Sequence, residues 1–235
     1  MRLKIEIKPN DRVFVLTGAG VSAESGIPTF RGVGGLWRGY RIEQVASPEA
    51  WAADRRLVWD FYSMRRQVAA QAKPNPAHMA LAELERRIGD RFTLVTQNVD
   101  NLHEQAGSQR VIHMHGELFK SRCDRCSREP FPDTNLYEQP VELPRCDCGG
   151  YVRPHICWFG EMPFDMDQIY AELATASVFV CIGSSGVVYP AAGFVKAVPT
   201  STRTYYIGPE APENVGLFDE VLEGKAGEVV PLALR

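Results

Sequence analysis

Four of the six cysteines fall within 26 positions, as Cys123-x-x-Cys126 and Cys146-x-Cys148. Thiolates are soft ligands, and two close pairs converging on one ion is the common pattern of a structural zinc site. Four sulfurs fill a tetrahedron and leave no open position, so such a zinc would serve folding rather than chemistry. The second pair is tight, C-x-C rather than C-x-x-C. Cys157 and Cys181 stand apart in apolar surroundings, and Cys181 in "VFVCIG" reads as a small buried apolar residue.

A second group with chemical potential is glycine-rich. "VFVLTGAGVSA" runs an apolar stretch into Gly18-Ala19-Gly20 with Ala23 three positions on. That G-x-G-x-x-A pattern after a strand suits a dinucleotide pyrophosphate. The residues beyond Ala23 do not suit a hydride-transfer fold, in which a second strand delivers a carboxylate to the ribose about 20 residues on. Glu43 stands near that distance, but no strand is expected before it. Instead "SGIPTFRGVGGLWRG" predicts a long loop carrying Phe30, Arg31 and Trp37, of the length that usually acts as a lid. "TQNVDNLH" adds Gln97, Asn98 and Asp100, and "GSS" adds Gly183, Ser184 and Ser185. In "RVIHMHGELF" an extended run over 111–115 would point His113 and His115 to one face. Either could accept a proton near neutral pH, and spacing does not choose between them.

These residues need elements to hold them. "VFVLTG" (13–18), "FTLVTQ" (92–97), "VFVCIGSS" (178–185) and "TYYIG" (204–208) are near-continuous apolar runs, as expected of parallel strands buried on both faces. Helical patterns lie between them, over 48–71, 74–90 and 165–176. Alternating strands and helices predict an open parallel α/β sheet of Rossmann type, with ligands outside the carboxyl ends of the strands. Residues 118–157 break the rhythm and read as a small inserted zinc module. The expected division is one domain over 1–235. Its larger part spans approximately 1–35, 72–117 and 158–235. Its smaller part spans 36–71, helical, and 118–157.

The 235 residues carry a net charge of −3 and 45% apolar residues. That balance argues against direct nucleic-acid binding, which shows as a basic patch. No apolar run approaches the ~20 residues of a membrane span. The first twelve residues lack an apolar signal core, so the expectation is a soluble, cytoplasmic protein.

Taken together, these stretches resemble the sirtuins, the NAD-dependent protein lysine deacylases. "GAGVSAESGIPTFRG" is similar to the family's cofactor loop, "TQNVDNLH" to its second signature and "HMHG" to its catalytic His-Gly. "RPHICWFGE" and "GSSGVVYPAA" resemble its two substrate-binding segments, and "GKAGEVVP" its C-terminal nucleotide contact. The resemblance implies that NAD is consumed rather than reduced and that one zinc ion is structural. It selects His115 as general base, with Asn98 the second catalytic residue. Cofactor contacts would come from Gly18, Ala19, Gly20, Ser22, Ala23, Thr29, Phe30, Arg31, Trp37, Gln97, Asn98, Asp100, His115, Gly183, Ser184, Ser185 and Ala226. The acyl oxygen would attack C1′ of the ribose as nicotinamide leaves near Asn98 and Asp100. The products would be nicotinamide, free lysine and O-acyl-ADP-ribose. The alternatives are a protein ADP-ribosyltransferase and a non-catalytic NAD or ADP-ribose sensor.

The implied partner is an acyl-lysine protein or peptide, bound as an added strand between two chain segments. Trp158, Phe159, Gly160 and Glu161 would form one side, and Val187 and Val188 the other. The chain departs from the family pattern at Gly208, where an asparagine is common, at Thr29 in "PTFR", and at the short second cysteine pair. A Tyr62-x-x-Arg65 pair on the predicted helix shares a face, as Arg66 could too. It resembles the mark of the sirtuin subgroup that removes succinyl, malonyl or glutaryl groups. A guanidinium fork and a phenol both suit a carboxylate.

Overall fold

The structure is a computed structural model that describes residues 4–29, 36–37, 40–139 and 141–235. β1 (Val13–Thr17) is buried along its whole length. A two-residue pairing of β2 (Leu36–Trp37) with β3 (Tyr40–Arg41) comes next, and a short 3-10 turn at Ile42–Gln44. The stretch expected to be a structureless loop therefore carries local backbone pairing among its described residues. The positions of Phe30 and Arg31 lie outside the described residues.

The helix expected over 48–71 is two helices, α1 (Pro48–Ala53) and α2 (Arg55–Gln71). Asp54 separates them because its side chain accepts from the Leu57 amide at 2.9 Å, capping α2 instead of continuing α1. α3 (Pro76–Ile88) starts on an Asn75 cap and stops at Gly89, whose φ of 59° is left-handed. Beyond it lie β4 (Phe92–Thr96), a short helix α4 (Leu102–Gln105) and β5 (Val111–His113). β6 (Gly116–Cys123), β7 (Phe131–Pro132) and β8 (Val152–Ile156) come next. The chain then returns through α5 (Met166–Leu173), β9 (Val178–Ile182), α6 (Phe194–Ala197), β10 (Arg203–Gly208), β11 (Glu220–Glu223) and α7 (Ala226–Ala233).

The main sheet has the order β11-β10-β9-β1-β4-β5, with every neighbouring pair parallel. Strands after β1 build outward on one side, and strands from β9 build outward on the other. The β1–β9 junction is therefore the switch point, where the connections leave in opposite directions and open a crevice. Strand alternation divides the core. Val13 and Val15 face α3 and α7, while Phe14 and Leu16 face α5 and α6. Cys181 is buried in that second layer, and burial pushes its thiol up to about 12.

Residues 116–156 hold a separate three-stranded antiparallel sheet, ordered β7-β6-β8. A third core joins it to the helical segment through Trp51, Trp59, Tyr62 and Trp158. Arg66 ties the two together. Its guanidinium is 1% exposed, donates to the carbonyls of Leu118 and Asn135, and pairs with buried Asp133 at 3.3 Å.

Candidate active site

A cleft of about 480 Å³ opens at the carboxyl ends of β1, β4 and β9. The β1 and β9 loops meet closely there. A Cβ on Gly18 would lie 2.8 Å from the Gly183 carbonyl oxygen, and one on Gly20 only 2.7 Å from the Gly183 Cα. The glycines are thus needed for one loop to close on the other. The Gly20 amide is spent on the Gly183 carbonyl at 2.9 Å. After Gly18 the chain makes a 3-10 turn, Ala19–Ser25, rather than a full helix. Gly18, Ala19, Gly20, Thr29, Gln97, Asn98, Gly183, Ser184 and Ser185 all border the cleft. This cradle of bare backbone and short polar side chains fits the phosphates and ribose of a dinucleotide.

Ser22, Ala23, Asp100 and Ala226 lie outside the described lining of this cleft. Ser22 is fully buried behind the cleft, Ala23 is exposed on the 3-10 turn, and Ala226 is buried in the first turn of α7. Trp37 lies in β2. Asp100 borders an adjoining cavity of about 40 Å³ that it shares with Arg65. A directed chain of donors links this layer. The Asn98 amide donates to Ser22 Oγ at 3.0 Å, and the Ser22 hydroxyl donates to Asp100 at 3.1 Å. Burial raises the Asp100 carboxyl, although hydrogen bonds from the Leu102 amide and Ser22 oppose it. The Thr17 hydroxyl donates to Thr96 at 2.8 Å and lies 3.0 Å from His103 Nε2. His78, outside every quoted motif, and His103, the last residue of "TQNVDNLH", are buried histidines of this network, held neutral chiefly by desolvation.

The structure separates the two candidate bases. β5 ends at His113 and the chain turns at Met114–His115, so the expected shared face does not form. His113 Nδ1 meets the Asn98 carbonyl at 3.1 Å and Nε2 meets Glu104 at 2.7 Å. Both partners accept, so both ring nitrogens carry protons. Burial lowers its pKa, but the Glu104 bond and charge raise it further, above the ordinary value. His113 has no lone pair to offer. His115 borders the cleft and, among the described residues, makes one hydrogen bond, from Nδ1 to the Gln97 carbonyl at 3.1 Å. A carbonyl only accepts, so Nδ1 holds the proton and Nε2 keeps its lone pair. Burial pulls this ring below the ordinary histidine pKa, with only partial opposition from the Gln97 carbonyl. It is neutral and ready to accept at pH 7.

Tyr62 and Arg65 both border the same cleft, as do Trp158, Phe159, Gly160, Glu161, Val187 and Val188. Arg65 lies beside Tyr62, its Cζ 5.5 Å from the ring centroid, and burial lowers it to about 10, so it stays charged at neutral pH. Arg66, the neighbouring arginine, is committed to Asp133 and the β6 backbone and does not reach the cleft. Glu161, expected to meet substrate, borders the cleft with its carboxylate held by Arg153 at 2.7 and 3.0 Å and by Arg122 at 3.3 Å. Sequence reasoning missed Tyr206. Its hydroxyl donates to the Ser184 carbonyl at 3.0 Å, and it borders the cleft. The signal was Gly208: a Cβ there would lie 2.5 Å from the Tyr206 oxygen. The phenol occupies the room that a side chain at 208 would need.

The four predicted ligand sulfurs gather within 4.8 Å of one another. Cys123 and Cys148 are 3.4 Å apart, and Cys126 and Cys146 3.8 Å. A tetrahedron with Zn–S near 2.3 Å has edges of about 3.8 Å, so the set fits zinc. The short second pair works because the chain turns sharply after it. Gly149, at φ 82°, donates to the Cys146 carbonyl, and Gly150 donates to Cys148 Sγ. A Cβ on Gly150 would press to 2.9 Å from Cys123 Sγ.

A Rossmann-type sheet with a nucleotide cradle at its switch point, a neutral histidine beside it and an inserted four-thiolate module defines the class. The Sir2 family profile matches residues 18–190, and the chain belongs to that family. A "NAD-dependent protein deacylase" of Caulobacter vibrioides is 52% identical over 225 residues, covering 94% of each chain. A protein of the same name from Salmonella typhimurium is 50% identical over 237 residues, covering 98% of this chain and 85% of that one. The crystal structure of a Sir2 homologue in complex with NAD superposes with a TM-score of 0.88 at 43% identity. It covers 97% of this chain and 90% of that one.

Proposed function

We propose that this protein is an NAD-dependent protein lysine deacylase with a preference for acidic acyl groups, succinyl or malonyl, and some activity on acetyl-lysine. The observation that supports the chemistry is the tautomer of His115: Nδ1–H on the Gln97 carbonyl and a free lone pair on Nε2 beside the cleft. Bound NAD supplies an electrophilic ribose carbon once its glycosidic bond breaks. Gly18–Gly20 and Gly183–Ser185 hold the dinucleotide. Asn98, fixed by Ser22, faces the reacting end. His115 Nε2 takes a ribose hydroxyl proton, which makes that oxygen nucleophilic toward the acyl carbon. The acyl-lysine protein lies between the Trp158–Glu161 and Val187–Val188 segments. Tyr62 and Arg65 meet the far end of the acyl chain, where a carboxylate gains a fork of donors that acetyl lacks.

Incubation with NAD and one peptide carrying acetyl-, malonyl-, succinyl- or glutaryl-lysine tests this reading. Mass spectrometry is expected to find nicotinamide, free lysine and O-acyl-ADP-ribose, with the acidic acyl peptides turned over at higher kcat/KM. ADP-ribose attached to protein, or no product, would sink the deacylase reading. Equal or higher kcat/KM on acetyl would sink the acyl preference alone.

A further inference from the structure

The family resemblance implies only that Trp158 forms part of one side of the acyl-peptide site. The side chain is 2% exposed, and its one polar atom is aimed at a particular partner. The indole Nε1–H donates to Tyr62 Oη at 2.9 Å. The Arg65 guanidinium stands beside the same ring, its Cζ 5.5 Å from the centroid. An indole is a donor only, so the Trp158 bond ends on a lone pair of the phenol oxygen. With that acceptor position taken, the hydroxyl proton is turned away from the indole and is free to donate elsewhere. Burial of the ring raises its pKa, and the charge of Arg65 opposes this only in part, so the proton stays on.

The indole is itself locked. Arg153 lies over the ring with its Cζ 3.3 Å from the centroid. The Trp158 amide donates to Glu161 Oε2 at 2.8 Å. Arg153 and Arg122 hold Glu161 in turn, and the Trp51 ring packs beside the indole at 5.9 Å. A ring that served only as an apolar wall would need none of these polar restraints.

We propose that Trp158 is a positioning residue for acyl selectivity: its indole N–H occupies the acceptor side of Tyr62, so the phenol meets the acyl chain as a donor. The inference rests on the acidic-acyl reading above. A carboxylate only accepts, so a phenol held as a donor suits it. The methyl of an acetyl group gains nothing from it. Without the indole N–H, the phenol can turn its proton elsewhere and present a lone pair to the carboxylate, which repels.

The test compares kcat/KM for succinyl- and acetyl-lysine forms of one peptide in wild type, W158F, Y62F and the double variant. Phenylalanine keeps an aromatic wall and removes the donor together with part of the ring, a loss of bulk that both peptides share. The succinyl-to-acetyl ratio is expected to fall about three- to tenfold in W158F, the scale of one hydrogen bond, chiefly through KM for the succinyl peptide. The double variant is expected to fall no further than Y62F, because both changes act through one hydroxyl. An unchanged ratio in W158F, or two effects that multiply independently, overturns the inference while leaving the acyl preference standing. A wild type that does not prefer succinyl overturns the acyl reading itself. If W158F does not fold, the indole N–H resonances of wild type and Y62F serve instead. One is expected to move in Y62F, and that same resonance to move in wild type with succinyl-lysine peptide but not with acetyl-lysine peptide. Equal movement with both peptides overturns the inference.

Discussion

At one end of the cleft, His115 and Asn98 hang from strand ends of the six-stranded sheet. At the other, Tyr62 and Arg65 project from α2, beside the inserted module. The first end settles its polar groups against main chain and against short side chains in fixed order: His115 on the Gln97 carbonyl, Asn98 on Ser22, Ser22 on Asp100. The second buries a cation and a phenol against each other, with the indole of Trp158 closing the set. The reaction end is held by backbone that the sheet makes rigid. The acyl end is held by long side chains whose positions depend on how α2 seats against β6 and β8. Arg66 illustrates that dependence: one residue from Arg65, it spends its guanidinium on Leu118, Asn135 and Asp133 to hold that seat.

The largest expected effect breaks the reaction end alone. His115→Ala is expected to reduce turnover of every acyl peptide by ~10²–10⁴-fold, the worth of a general base, with NAD binding and melting temperature retained. Turnover within about tenfold of wild type would remove His115 from the role. His113 is no substitute, since both of its nitrogens are donors. Next comes the acyl end. Truncating one partner of a buried charge pair costs about 2–5 kcal/mol, so Arg65→Met is expected to lower kcat/KM for succinyl peptides by roughly 30-fold or more relative to acetyl. Tyr62→Phe is expected to shift the same ratio less, having removed one neutral donor. A ratio that does not move toward acetyl in Arg65→Met contradicts the assignment.

The two ends also titrate apart. His115 must be neutral to act, and burial holds its pKa below 6.5. The kcat/KM for all acyl peptides is therefore expected to fall only as pH drops below that value, with no loss between 7 and 8. Arg65 must be charged and its pKa is about 10. The succinyl-to-acetyl ratio is thus expected to hold near neutrality and decline as pH rises toward 10. A ratio flat through pH 10, at unchanged fold, would detach Arg65 from selectivity. The smallest effect on chemistry per folded molecule is expected at the metal. Elemental analysis is expected to find one zinc per chain, and Cys123→Ala to lower melting temperature and soluble yield, since structural zinc contributes folding energy. A metal-free preparation of full activity and stability would reject the site.

The sequence by itself determined the parts whose signal is local. Apolar runs into glycine marked β1, β4, β9 and β10, because a strand buried on both faces must be apolar throughout. The paired thiols marked the metal set, because zinc chemistry limits which residues can stand there. The glycine motif marked the cradle, while His115 was chosen over His113 only through the resemblance to the family. Tertiary structure decided everything that depended on what lies opposite. Gly18 and Gly20 are glycines because the Gly183 loop presses on them, a contact 165 and 163 positions away in the chain. The break at Asp54 came from a capping bond that outcompeted helix propensity. The helical face that holds Tyr62, Arg65 and Arg66 is legible in spacing, but which arginine enters the cleft depended on Asp133, just after β7 in the inserted module. Glu161 reads as a substrate contact in sequence, and only the structure shows that two arginines from β6 and β8 hold its carboxylate at the cleft edge. A side chain's reach is written in its type, but its partner is set by packing between elements far apart in the chain, and no local pattern of residues records that distance.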